Sequence, residues 1–297
     1  MNGGIARRTL FKKLFAFSAF SAGSILSFKN NMFTGIGSLE STEANAMENP
    51  DYAIGRSKNR ITIDYIGMSC FVITSANGTR IITDPFLADK KILHSQLKKE
   101  PADVVTVSCG HYAHCNVSDV GGVPYIYKIT GTTELKGIKF RGIASRHLIM
   151  HEVAVLNPAE NIIICFEVDG IKICHLGALG ERLSDEQAKQ IGTPDILMVP
   201  VGGVSTMPVN VATEVCSRLN PRFILPMHYR SERCLYPEWA GVDEFLKDKK
   251  NVLRCDSNIG SSRLEFALDE HKQLLTLTSP GPELSSGTQI IVPRFVY

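Results

Sequence analysis

From Arg60 onward the chain is cut into short apolar runs, each closed by a turn-forming residue. RITIDYI, SCFVITS and RIITDPF follow one another, and Asn77-Gly78, a pair suited to a tight hairpin, joins the last two. DVVTVS (103–108) continues the pattern, as do GIKFRGIAS, NIIICFEV, IKICHLGA, DILMVPVGG and RFILPMHY, with Asp169-Gly170 as a further turn. Two segments change period. LSDEQAKQI (183–191) opens on Ser184 with Glu186 and Gln187 behind it, a capping arrangement, and PVNVATEVCSRL (208–219) places apolar residues at helical spacing. Hairpins early and strand–helix alternation late predict two sheets packed face to face with helices outside. No repeat, low-complexity segment or internal linker follows about residue 55, so a single domain is expected over 59–297.

The N-terminus follows another logic. Arg7-Arg8-Thr9-Leu10-Phe11-Lys12 is a twin arginine followed by two apolar residues and a lysine, and LFAFSAFSAGSILSF comes next. This resembles a twin-arginine export signal. The apolar stretch is shorter than the ~20 residues of a membrane span and is broken by Ser and Gly. Ala44-Asn45-Ala46 offers a signal peptidase its small residues, so 1–46 reads as a signal peptide and 47–58 as a tether. The expected location is the periplasm, with membrane contact only through an uncleaved leader. That route carries proteins already folded.

The formal charge of +2 comes from this leader, whose 46 residues carry five basic and two acidic side chains; the remainder holds 27 Lys and Arg against 28 Asp and Glu, about −1. No basic face invites nucleic acid, and a small-molecule substrate is the expected partner. The eight cysteines form no CxxC pair. Cys165 and Cys174 lie in apolar strand-like runs and read as small buried hydrophobes, while the number of cysteines in an exported chain leaves disulfides open.

The chemistry concentrates in VSCGHYAHC (107–115). Residues two apart on an extended backbone point the same way, so Cys109 and His111 can grip one ion, while His114 follows a turn and points elsewhere. Further histidines stand at strand ends: His147, His175 and His228. His175 sits between apolar residues and reads as structural. Val201-Gly202-Gly203 reads as a tight turn accommodating a neighbouring backbone rather than a phosphate cradle, because no P-loop Lys-Ser/Thr follows.

In this order, GMSCFVI with IITDPF, VSCGHYAH, SRH, HLGALG, ILMVPVGGVSTM and ILPMHY resemble the metallo-β-lactamase superfamily, and within it the zinc-dependent hydrolases similar to ascorbate-6-phosphate lactonase. The resemblance covers residues 60–232. It implies a four-layer αββα sandwich with metal at one rim of the sheets. It also exposes departures. Gly67-Met68-Ser69-Cys70 stands where Gly-His-Ser-Cys is usual, Cys109 through His114 replaces His-x-His-x-Asp-His, and Ala178 occupies the place of the bridging aspartate. His147 and His228 match, and Asp84 matches a position with a supporting role.

Charge then limits the site to one ion. Two divalent ions bring +4, normally offset by carboxylates and a bridging hydroxide, whereas here the one anionic candidate is a Cys109 thiolate. Cys109, His111 and His147 supply three ligands that zinc accepts, with iron or manganese as alternatives. His114 and His228 either join that ion or hydrogen-bond a substrate oxyanion. The expected function is hydrolysis of an ester, lactone, phosphoester or amide bond by metal-activated water. The alternative is a binding protein that keeps the sandwich without the chemistry.

Overall fold

The computed structural model describes residues 60–295 except 93–96, 98, 149, 152–153, 156–158, 256–262, 269–274 and 280–286, and no side chain from 149 to 159 or at 275, 276, 278 and 279. The leader and tether expected over 1–58 lie outside the described residues, as does the side chain of His151. The described residues fall within one compact unit, Ala53–Tyr297. Among them, no helix is long and apolar enough to cross a membrane.

The early runs fold as read: β1 (Arg60–Gly67), β2 (Cys70–Thr74) and β3 (Arg80–Thr83) form an antiparallel meander, and β4 (Val104–Thr106) and β5 (Tyr125–Tyr127) add parallel strands. The chain then crosses over. β6 (Gly131–Leu135), β7 (Ile138–His147), a two-strand ribbon of β8 (Met150–His151) and β9 (Ala154–Val155), β10 (Ala159–Val168), β11 (Ile171–His175), β12 (Ile196–Pro200) and β13 (Phe223–Met227) follow. β14 (Val252–Arg254) joins them, β15 (Arg263–Leu268) and β16 (Leu275–Ser279) return to the first sheet, and β17 (Gln289–Val292) returns to the second. The seven-stranded sheet runs β16-β15-β1-β2-β3-β4-β5 and the eight-stranded sheet β14-β17-β13-β12-β11-β10-β7-β6.

A single apolar core joins the sheets: Ile61, Phe71 and Ile73 of the first meet Phe140, Phe166, Met198 and Phe223 of the second. Burial on both faces explains why β12 and β13 read as unbroken apolar runs rather than alternating ones. Helices α1 (Asp185–Ile191), α2 (Val209–Leu219) and α3 (Val242–Leu246) belong to the second sheet's side, where Val211, Val215, Leu219, Val242 and Phe245 pack with Leu197, Val199 and Ile224. Ser184 caps α1 in a reciprocal box: its hydroxyl accepts from the Gln187 N–H, and the Gln187 side chain accepts from the Ser184 N–H. Behind the first sheet, the apolar cover comes from loop residues such as Phe86, Ile92, Leu97 and Trp239. The α/β sandwich expected from the sequence is therefore present.

Candidate metal centre

Asp84 leaves β3 in a left-handed conformation, φ 37°, and is fully buried. Its Oδ1 accepts the Ser108 N–H at 2.8 Å, its Oδ2 accepts the Ser108 hydroxyl, and His114 Nδ1 stands 2.7 Å from the same Oδ2. Burial pushes the Asp84 carboxyl up to about 6, with the His175 charge and the Ser108 bonds opposing it. Burial, helped by His111, pushes the His114 imidazole down to about 3. At neutral pH the pair is therefore a carboxylate and a neutral imidazole. The carboxylate accepts only, so the proton sits on Nδ1 and the Nε2 lone pair is free. That Nε2 is buried with no hydrogen-bond partner.

Three more imidazoles converge on it. His147, the last residue of β7, has its ring centroid 6.3 Å from that of His114 and 6.1 Å from that of His111, and His111 and His114 are 6.5 Å apart. His228 follows β13 with φ 53° and donates its backbone N–H to Met68 O. Its ring lies between His114, at 5.3 Å and 15°, and Trp239, at 4.3 Å and 23°. Its Nδ1 is likewise buried and unpartnered. His111 alone of the four is exposed. Beside it, exposed Tyr112 shares a 2.9 Å hydroxyl contact with Tyr236, whose ring stacks on Trp239.

Burial lowers all four imidazoles, and their mutual repulsion deepens the effect for three of them: His147 falls to about 4 and His228 well below its usual value. Neutral imidazole is the form that binds metal. Buried polar atoms without partners are costly unless something occupies them, so the bare nitrogens of His114 and His228 fit an ion in kind. They do not yet form a closed cage. Among the described residues, no three His, Cys, Asp or Glu side chains stand together as a ready site. The ring separations are wide for Zn–N bonds of about 2.0–2.1 Å, so occupation requires the rings to draw in.

The structure thus brings His111, His114, His147 and His228 together. The backbone that carries Cys109 leaves strand geometry after Thr106 and runs through bends and a turn, so extended alternation does not describe Cys109 and His111, and Cys109 itself is buried. Burial and the Asp84 charge push its thiol up to about 12. His175 is structural as expected: Nε2 bonds Ser69 O at 2.8 Å and Nδ1 accepts the Gly177 N–H. Ala113 and Ala178, at the positions where carboxylates are usual, are both buried. Trp239 and Tyr236 lie in the loop after β13, at 229–240, whose place beside the site follows from its position in the chain but whose aromatic wall no pattern in the sequence announces.

Comparisons with known proteins now have a geometry to meet. The Beta-lactamase superfamily domain family matches residues 62–228, a span that holds Asp84 and all four clustered histidines. A metal-dependent hydrolase from Thermoplasma acidophilum is 24% identical over 193 residues, 58% of this chain and 84% of its own length. Another from Thermococcus onnurineus is 25% identical over 220 residues, covering 65% and 95%. Among solved structures, a Thermotoga maritima protein described as a Zn-dependent hydrolase of the metallo-β-lactamase superfamily is 30% identical with a TM-score of 0.58, over 80% of this chain and all of that one. By this match and this fold, the chain belongs to the metallo-β-lactamase superfamily.

Proposed function

We propose that the chain is a hydrolase working with one divalent ion held by the imidazoles of His111, His114 and His147, with His228 beside them. The observation that carries this reading is the pair of buried, unpartnered nitrogens, His114 Nε2 and His228 Nδ1, within a cluster kept neutral at physiological pH. The names of the Thermoplasma and Thermococcus relatives, metal-dependent hydrolases, and the description of the Thermotoga structure support it. An imidazole-rich set favours zinc, then iron, over the more oxygen-seeking manganese. With Asp84 committed to His114 and alanine at 113 and 178, nothing offsets a second ion.

A bound divalent ion would supply Lewis acidity and make water nucleophilic near neutral pH. The chain's own residues have separate tasks. Asp84 fixes the His114 tautomer and aims Nε2 into the cluster. His228, held between two rings, serves as a further ligand or donates to the oxyanion that develops on an ester, lactone, phosphoester or amide. Exposed His111 and Tyr112 mark the side from which a small substrate enters. A Cys109 ligand requires the ion to displace a firmly held proton.

Hydrolysis of activated esters or lactones by metal-loaded protein tests this reading. The activity should vanish on chelation and in His111→Ala, whereas His228→Ala should cost rate more than occupancy. A second reading, a binding protein without turnover, draws on the open spacing of the rings and the two alanines. It prevails if fully metallated protein shows no chelator-sensitive turnover across a broad substrate screen.

A further inference from the structure

Away from the histidines, β10 and β11 form a hairpin closed by Asp169 (φ 52°) and Gly170 (φ 83°), and its register sets Cys165 directly opposite Cys174. Their sulfur atoms stand 3.5 Å apart. Directly opposed residues of an antiparallel pair have Cα atoms about 4.5–5.5 Å apart, inside the window of about 4.4–6.8 Å that a disulfide accepts. Closure therefore needs only a small adjustment of two side chains on a backbone already in place.

The pair is also reachable. Both cysteines line a cleft of about 570 Å³ on the second sheet, beneath the end of α1, with Lys139, Arg141, Lys172 and Lys189 around it against Glu167. Cys165 is partly exposed, whereas Cys174 is buried and its thiol is pushed well above the usual range. A cleft with four cations and one anion attracts an anionic reagent.

We infer that Cys165 and Cys174 form a cross-strand disulfide by exchange with a small anionic disulfide that enters this basic cleft. Cys165 gives its proton to solvent and its sulfur attacks one sulfur of the reagent, whose S–S bond breaks as a mixed disulfide forms and one thiolate leaves. Cys174 gives up its proton in turn and attacks the Cys165 sulfur, which breaks the mixed disulfide and releases the second thiolate, and the two departing thiolates take up the two protons. The protein is oxidised by two electrons and the reagent is reduced to two thiols.

Oxidised glutathione is the probe, applied to the full folded chain, which is then alkylated and digested with trypsin without reduction. Cleavage after Lys172 puts Cys165 and Cys174 on different peptides, so a disulfide appears as one linked species that reduction splits in two. Most of the Cys165 peptide should be recovered in that species, two hydrogen masses below the sum of its free parts. In Cys174→Ser, the reaction should halt with glutathione on Cys165. Recovery of both peptides singly alkylated from the native chain, a lasting glutathione adduct on native Cys165, or linkage of either cysteine to another peptide would overturn the inference.

Discussion

The bond between Asp84 and His114 decides whether a buried lone pair faces the other imidazoles. Asp84→Asn keeps the shape but replaces an acceptor-only group with an amide that can donate to Nδ1 and so allow the other tautomer, in which Nε2 carries the proton. Loss of such a partner weakens metal affinity by about 10–100-fold, which competition with a chelator would measure; unchanged affinity would show that His114 is not held this way. The same residues set a pH dependence in metal-free protein. Histidines of the unfolded chain titrate near 6.5, whereas folded His147 titrates at about 4, His114 at about 3 and His228 well down. The unfolded state therefore binds more protons as pH falls from about 6.5, and stability drops by up to about 1.4 kcal/mol per pH unit for each of these three buried rings. Asp84 acts oppositely: its folded value of about 6 is raised above the ordinary 3.9 or so, so its contribution is lost as pH rises through 6. Three rings outweigh one carboxyl. The urea midpoint of metal-free protein should fall from pH 7 to pH 5, and a midpoint that holds or rises would refute the neutral cluster.

Which elements could be read in advance depended on whether local pattern or tertiary contact created them. β1 to β4, β7, β10 to β13, α1 and α2 carry period, caps and turn residues that act locally. β14 to β17 and α3 are short segments whose pairing joins residues far apart, such as Ile63 with Leu264 and Ile224 with Ile290, and no local pattern announces them. The loop after β4 leaves strand geometry for a related reason. Its course is set by Asp84 gripping Ser108, by His114 N–H on His111 O and by Asn116 N–H on Pro85 O, so its backbone is not the extended one that local pattern suggests. The glycine turn after β12, in contrast, was legible as a backbone accommodation. A Cβ on Gly202 would lie 2.2 Å from His228 O and 3.1 Å from Tyr229 Cα. Gly202→Ala should thus displace the His228 segment and cost about 1–3 kcal/mol in a denaturant titration. Gly110→Ala, whose Cβ meets nothing within 4 Å, should change stability by no more than about 0.5 kcal/mol. Equal effects of the two would remove the packing argument.

For the molecule as a whole, the sandwich places strand ends from both sheets at one rim: Asp84 follows β3 of the first, and His147 and His228 lie at the ends of β7 and β13 of the second. The sequence carried the imidazoles and the supporting carboxylate because their segments keep a recognisable order, while the neutrality of the cluster depends on burial and became visible only in three dimensions. Outside the described residues, we propose that the twin-arginine leader exports the chain, loaded with metal, to the periplasm. Replacing Arg7 and Arg8 with Lys should hold the precursor in the cytoplasm, and unchanged export of that variant would defeat the proposal. The most direct test of the central claim is the metal content of the purified chain, measured by elemental analysis after cytoplasmic expression with zinc, iron and manganese supplied. One equivalent of a single metal, zinc first, is expected, with occupancy lost in His114→Ala and His147→Ala. Less than about a tenth of an equivalent would contradict a metal-binding cluster, and two equivalents would contradict the limit that charge places on it.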